Sequence, residues 1–235
     1  MNIDDLIHIY DSYKSKFGKN TYKKISLLLS EAKNAHKADF LKSGTANKAI
    51  AEGRPPDHEQ SWRAFKGKNL EKLIIYIIKD EVESLGLKIV DGNRLERTQG
   101  VNLSKELNQV KRNLLIDYGE YGSHLPDVDI IIYRPETKKI IAVISSKVTL
   151  RERIAQTGYW KFKLAADQVT KHIKVYFITP DEDQTLSEKE PMKKGRAIVE
   201  KDLDGSYVLS ENAIEESNKV KLFDKFIADL QKLLK

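Results

Sequence analysis

Apolar residues recur every three or four positions in two segments near the N-terminus, DDLIHIYDSYKSKF and TYKKISLLLSEAKNAHKADFL. This spacing predicts amphipathic helices over residues 1 to about 56. A stretch with Gly53, Pro55 and Pro56 then interrupts the pattern and is the best candidate for a linker. We therefore expect a helical N-terminal region over 1–56 and a main domain over 57–235.

The main domain alternates between helical and strand patterns. A long helix is predicted from about Asp57 through Ser84, ended by Gly86, and a shorter helix begins at Ser104. Residues 151–169 are also predicted to be helical. Runs rich in β-branched residues predict five strands, and the fifth of them is expected to be an edge strand. These runs are LKIVD, DVDIIIY, KKIIAVISSK, IKVYFITP and SYVLS.

The C-terminal third carries weaker patterns. Residues 181–204 are highly charged and are predicted to form a loop, whereas NKVKLFDKFIADLQKLLK at the end predicts an amphipathic helix. The order of helices and strands predicts an α/β fold. We expect a mixed central sheet flanked by helices, with the helical N-terminal region added to it.

Two of the predicted strands form a hairpin that carries candidate chemistry. DVDIIIY and KKIIAVISSK are joined by RPET, and pairing Tyr133 with Lys139 places Asp127 opposite Ser145. Asp127 then lies diagonal to Lys147 at the open end of the hairpin, because side chains alternate along each strand. A carboxylate and a lysine are therefore expected to meet there.

A second carboxylate is predicted on the long helix. At 100° per residue, Glu71 lies roughly 120° from the centre of the polar face, among Ile74, Ile78 and Val82. A buried carboxylate needs a partner, such as a metal ion or the lysine of the hairpin. Alternatively, Glu71 lies at the edge of the buried zone and reaches water.

Composition and charge narrow the class of protein. The 235 residues contain no cysteine, which excludes disulfides and thiolate metal sites. No apolar stretch approaches the roughly 18–20 residues that span a membrane, and no export signal is recognised, so a cytoplasmic protein is expected. The net charge is +6, and residues 138–174 contain nine basic and two acidic residues. That segment indicates either a surface for a polyanion or a solvated basic face.

Two carboxylates and a lysine are the groups that metal-dependent phosphodiester hydrolysis requires. Oxygen ligands such as Asp127 and Glu71 suit Mg²⁺, which lowers the pKa of bound water and neutralises charge on the phosphate. Lys147 would orient that water or stabilise negative charge.

The motif PD at 126–127 followed by SSK at 145–147 resembles the PD-(D/E)XK nuclease signature, with Ser145 in place of the usual acid. The sequence KVTLRER is similar to the branch of type II restriction endonucleases that recognises CCGG and related sites, and most of all to BsaWI-like enzymes. The resemblance covers roughly residues 66–180. It implies a restriction-endonuclease-like core with Glu71, Asp127 and Lys147 as catalytic residues. It also implies Mg²⁺ and a homodimer that cuts double-stranded DNA at a palindromic CCGG-like site.

The same resemblance suggests which residues contact DNA. Arg151, Glu152 and Arg153 at a helix start have the donors and acceptors to recognise adjacent G·C pairs. The alternative is a surface-charge triplet, and the fixed distance of RER from Lys147 argues against it. Gln156 is a further candidate for a base contact, and Lys161 for a phosphate contact. Relatives commonly place a glutamate where this chain has Trp160 or Lys161, which leaves the number of metal ions open.

Two other functions stay open at this point. One is a PD-(D/E)XK nuclease that recognises DNA structure, as repair nucleases do, and the RER triplet argues against it. The other is a non-catalytic DNA-binding protein on a nuclease scaffold. The N-terminal region is expected to serve either dimerisation or DNA contact.

Overall fold

The long predicted helix and the N-terminal helices form as the sequence indicates. The computed structural model describes residues 1–150 and 153–234. Three helices make up the N-terminal region: α1 (Ile3–Phe17), α2 (Ile25–Leu41) and α3 (Gly44–Ala51). Helix α4 (His58–Ser84) follows; the Asp57 side chain caps its first turn by accepting from the Gln60 N–H.

The centre of the molecule is a six-stranded mixed sheet. In chain order the strands are β1 (Lys88–Asp91), β2 (Ile116–Asp117), β3 (Ser123–His124), β4 (Ile130–Tyr133), β5 (Ile140–Ser146), β6 (Lys174–Thr179), β7 (Gly205–Val208) and β8 (Val220–Leu222). Strands β2 and β3 form a separate pair, and the main sheet has the order β1-β4-β5-β6-β7-β8. Strands β1, β4 and β5 are antiparallel neighbours, whereas β5 to β8 are parallel. The predicted α/β class with a mixed sheet is confirmed.

In the described residues that follow β1, five further α-helices flank the sheet. They are α5 (Gly92–Arg97), α6 (Lys105–Arg112), α7 (Arg153–Ala166), α8 (Lys194–Asp202) and α9 (Phe226–Lys232). Helix α8 lies in the segment predicted as a loop. The prediction failed because charged residues dominate this helix, and one of its two buried residues, Arg196, is itself charged; the other is Val199. Within the described part of the chain, no helix combines the length and apolarity needed to cross a membrane.

The C-terminal prediction is wrong in one respect. The segment predicted as one helix begins with β8, whose neighbour β7 is therefore an inner strand and not the predicted edge. Strand β8 has only three residues, too few for the period of a strand to emerge from a pattern that also fits a helix.

Two layers of helices cover the two faces of the sheet. Helices α1, α2, α4 and α9 pack on one face, and α6, α7 and α8 pack on the other. Leu6 of α1 and Leu28 of α2 are buried together with Leu73 of α4 and Ile132 of β4. Burial of each such side chain stabilises the folded state by about 1.5–3 kcal/mol relative to leaving it exposed to water. Helices α1 and α2 therefore share one hydrophobic core with the sheet.

The register of the β4–β5 hairpin differs from the prediction. Tyr133 pairs with Ile140 and not with Lys139, and an irregularity between Ile132 and Tyr133 shifts the pairing once more, so that Ile130 pairs with Ile144. The connection is longer than expected and contains Lys138 in a left-handed conformation, with φ 58°. Continued by one residue, this register places Asp129 opposite Ser145.

Candidate active site

Lys147 and Asp129 meet where β5 ends and β4 begins. The Nζ atom of Lys147 lies 2.8 Å from both carboxylate oxygens of Asp129. The Ser146 N–H also donates to Asp129 Oδ2 at 2.6 Å. Asp129 is 3% exposed, and charge-assisted hydrogen bonds of this kind are about twice as strong as neutral ones. The lysine therefore faces a buried acid and not open solvent.

The backbone of Asp129 is fixed on both sides. Its N–H donates to the Ile144 carbonyl at 3.0 Å, and its carbonyl accepts from the Gly92 N–H at 2.9 Å. A Cβ atom at Gly92 would lie 1.9 Å from the Val128 carbonyl oxygen, so only glycine permits this approach. The turn at the start of α5 is thereby held against the acid.

Glu71 reaches the same place from α4. It is 8% exposed, which confirms its predicted position on the buried half of the helix. Burial first, then the neighbouring carboxylates of Asp129 and Asp91, raise the pKa of Glu71 to about 8, against the opposing effect of Lys147. Two carboxylates and one lysine, distant in sequence, thus converge.

Asn93 holds the Glu71 side chain in place. Its Nδ2 atom lies 3.2 Å from Oε1 and 3.1 Å from Oε2 of Glu71. Asn93 is the second residue of α5, directly after the glycine that packs on Val128. The same turn therefore positions both acids, one through its backbone and the other through the Asn93 amide.

Asp127 does not occupy the predicted position beside Lys147. It is exposed, and its Oδ2 accepts a hydrogen bond from Gln156 Nε2 of α7 at 2.8 Å. The acid that contacts the lysine is Asp129, two residues later. The expected pairing of Asp127 with Lys147 is corrected for a physical reason: the longer turn and the irregularity move the register by two residues.

The residues present fit a divalent cation of the Mg²⁺ type. Such an ion is usually held by one or two carboxylates, with waters and substrate phosphates completing the octahedron. Glu71 and Asp129 provide two carboxylates whose mutual repulsion a cation would relieve. Among residues 1–150 and 153–234, no group of three or more His, Cys, Asp or Glu residues is arranged to hold a metal. Glu71 and Asp129 are the side chains that would hold such an ion.

The predicted DNA-contact residues fall in different settings. Arg151 and Glu152 lie outside the described residues. Arg153 is exposed at the start of α7, and Gln156 is exposed one turn later. Lys161 instead lies inside an ion pair, its Nζ 2.6 Å from Asp204 Oδ2. That contact ties α7 to the turn before β7, so its predicted role at a phosphate has no geometric support.

Sequence reasoning missed Asp129 and Asn93. Asp129 was visible in the motif PDVD, and it shares a strand face with Asp127, so side-chain alternation does not distinguish the two. Asn93 stands in a DGN turn that follows a strand, a common sequence at helix starts. Its contact with Glu71 depends on the packing of Gly92, which no local pattern predicts.

Comparison with known proteins identifies the family. A family model described as BsaWI restriction endonuclease type 2 matches residues 106–229, which include Asp129 and Lys147. The chain is also 41% identical over 204 residues to MjaVIP of Methanocaldococcus jannaschii, a protein named as a type II restriction enzyme; the match covers 85% of this chain and 84% of that protein. The chain belongs to the BsaWI family of type II restriction endonucleases.

Other relatives agree with this assignment. HpyAORF263P of Helicobacter pylori, also named as a type II restriction enzyme, is 40% identical over 134 residues, 57% of this chain and 67% of that protein. The fold is similar to that in a complex of restriction endonuclease PspGI with substrate DNA, with a TM-score of 0.59, 14% identity and coverage of 97% and 92%. A complex of AgeI with DNA has a TM-score of 0.51, 15% identity and coverage of 75% and 70%.

Membership in the family establishes the class of activity. This BsaWI-family chain is a type II site-specific deoxyribonuclease, a phosphodiester hydrolase. The family generally uses a divalent metal ion. The predicted restriction-endonuclease-like fold and the predicted enzyme class are confirmed.

Proposed function

We propose that this enzyme cleaves both strands of double-stranded DNA at a palindromic CCGG-like site with Mg²⁺, as a homodimer. The observation that carries the proposal is the convergence of Glu71, Asp129 and Lys147 at one end of the central sheet. Phosphodiester hydrolysis needs oxygen ligands for a cation and a fixed positive charge near the phosphate. This cluster supplies both.

Each side chain has a distinct task in this proposal. Asp129 and Glu71 would bind the cation, which when bound lowers the pKa of a water and neutralises charge on the phosphate. Lys147 Nζ already lies against Asp129, so it would donate to a phosphate oxygen or to the attacking water. Asn93 keeps both oxygens of Glu71 directed into the site.

Recognition is assigned to the start of α7. Arg153 and Gln156 are exposed there, and Arg151 and Glu152 directly precede the helix in sequence. Arginine binds guanine O6 and N7 with two hydrogen bonds, and glutamate accepts from cytosine N4. Asp127 contacts Gln156, so we assign Asp127 to the orientation of this helix and not to the metal. PspGI and AgeI, which have the same fold, are both known in complexes with DNA.

A homodimer follows from the target. A palindromic site has two-fold symmetry, and a two-fold dimer presents one catalytic cluster and one recognition helix to each strand. In sedimentation experiments we expect the protein to have the mass of a dimer when bound to one site.

Paired substitutions test the catalytic assignment. Asp129→Asn, Glu71→Gln and Lys147→Ala are each expected to abolish plasmid cleavage in Mg²⁺ while binding to a CCGG duplex persists. Asp127→Asn is the matched control and should still cut, because its carboxylate lies outside the cluster. Loss of cleavage in Asp127→Asn with normal cleavage in Asp129→Asn would restore the original motif assignment.

The specificity is tested by sequencing the cleavage ends on plasmid DNA. Discrete fragments with ends at CCGG-like sites are expected, and Arg153→Ala should weaken binding to the cognate duplex by about 1–3 kcal/mol. Random nicking by the wild type, or cleavage at junctions only, would refute a site-specific function.

A further inference from the structure

A cleft of about 620 Å³ opens directly beside the catalytic lysine. Its walls are the N-terminal half of α4, including Arg63 and Gly67, and the segment that follows β5, including Lys147 and Val148. Helix α4 continues one turn beyond Gly67 to Glu71. The cleft therefore leads along the helix to the catalytic cluster.

Among the described residues that line this cleft, five are basic and two are acidic. Its two acidic residues, Glu59 and Glu182, both have lysine partners. Its basic residues come from α2, α4, the end of β5 and the start of α7, and these are Lys33, Arg63, Lys66, Lys147 and Arg153. Basic residues that outnumber acidic ones along a groove favour an extended anion.

One ion pair links the two sides of the cleft. Lys66 Nζ lies 2.9 Å from Oε1 and 2.7 Å from Oε2 of Glu182. Glu182 follows β6, and its N–H donates to the Val148 carbonyl at 3.3 Å. Lys66 thus donates to both oxygens of a carboxylate. Two oxygens of a phosphate could accept the same hydrogen bonds in place of that carboxylate.

Gly67 leaves the helix backbone open at this position. A glycine in the middle of a 27-residue helix reduces helix stability by about 1 kcal/mol relative to alanine. A Cβ atom built there would meet nothing within 4 Å among residues 1–150 and 153–234, so none of these residues fills the space. The missing side chain therefore leaves room in the cleft, one turn before Glu71.

We propose that this cleft binds the sugar-phosphate backbone of the DNA strand that is cut. Gly67 permits close approach of the sugar-phosphate backbone to α4. When DNA enters, Lys66 releases Glu182 and binds a phosphate instead. Lys33 of α2 extends the same surface, which gives the N-terminal region a role in DNA contact. The inference rests on the proposed DNA cleavage and adds the path of the strand to it.

Substitution of Gly67 separates binding from folding. Gly67→Ala should raise the thermal midpoint, because alanine favours the helix, while weakening binding to a short CCGG duplex in EDTA. Gly67→Leu should weaken binding by about tenfold or more, or about 1.4 kcal/mol. Ala64→Leu is the matched control, since Ala64 is exposed on the same helix but lines a different groove. A Gly67→Leu protein that folds and binds DNA like the wild type would overturn the proposal.

Salt dependence tests the exchange at Lys66. Lys66→Ala should lower the slope of log affinity against log salt by about 0.9, the value for one phosphate contact. Glu182→Gln should tighten binding, because it removes the competing carboxylate. Lys79→Ala, an exposed lysine further along α4, should leave the slope unchanged. An unchanged slope in Lys66→Ala, or weaker binding in Glu182→Gln, would contradict the exchange.

These outcomes are distinguishable from failure of the proposed function. If the wild type neither binds nor cuts CCGG-containing DNA, the proposed function is wrong. If the wild type binds and cuts but all cleft variants bind equally well, only the assigned path of the strand is wrong.

Discussion

The charge on Glu71 should make the metal-free enzyme lose stability as the pH rises. Its carboxylate is buried beside Asp129, and its pKa is raised to about 8, whereas a glutamate in the unfolded chain titrates near 4.3. Between these values the folded protein holds a proton that the unfolded chain has lost. The contribution of Glu71 to the free energy of unfolding is therefore greatest when the pH is below the pKa of the unfolded chain. It decreases as the pH rises, until the pH exceeds the pKa in the folded protein.

The expected slope follows from one proton. The free energy of unfolding should fall by about 1.4 kcal/mol per pH unit relative to Glu71→Gln, which cannot titrate. From about pH 5.5 to about pH 7 the difference between the two proteins should change by about 2 kcal/mol.

Urea denaturation in EDTA at several pH values measures this difference. Glu83→Gln, an exposed glutamate on the same helix, is the control and should parallel the wild type. Addition of Mg²⁺ should stabilise the wild type more at the higher pH, because binding displaces the proton. Parallel pH profiles for the wild type and Glu71→Gln would refute the assignment of a raised pKa to Glu71.

Three further substitutions test the surroundings of the site. Asn93→Ala should lower kcat about 10–100-fold with little change in DNA affinity, as measured by single-turnover cleavage, because Glu71 loses its orienting donor. Gly92→Ala should destabilise the fold by about 3 kcal/mol or more in urea titrations, since its Cβ would overlap a backbone oxygen. Lys161→Ala should lower the free energy of unfolding by about 1–2 kcal/mol, because the ion pair with Asp204 is lost, and should leave DNA affinity unchanged. Reduced affinity without loss of stability would instead restore the phosphate contact predicted for Lys161.

Much of the fold was predictable because its elements have strong local patterns. The long helix begins at a capping aspartate and ends before Gly86, which has a φ of 74°, and both features are visible in the sequence. The buried strands are rich in isoleucine and valine, so their existence and type follow from the composition. Strand β8 and helix α8 were missed because one is very short and the other is dominated by charged residues.

The candidate site was predictable only in part. Helical periodicity places Glu71 on the buried half of α4, and the polar end of β5 indicates Lys147. The choice between Asp127 and Asp129 depends on a left-handed residue in the turn and an irregularity in the ladder. Asp127 and Asp129 are two residues apart and lie on the same face of the strand, so the alternation of side chains is consistent with either of them as the partner of Lys147.

The double attachment of Asp129 has a consequence for how the enzyme meets its substrate. Its N–H is bonded to Ile144 and its carbonyl to Gly92, so the backbone of this acid is tied both to β5 and to the start of α5. These two bonds restrict how far it can follow a misplaced phosphate. The scissile bond must therefore come into alignment through deformation of the duplex or movement of the surrounding helices. A DNA site with an incorrect base sequence that bends less easily would escape cleavage because its phosphate is misaligned, in addition to the loss of base contacts.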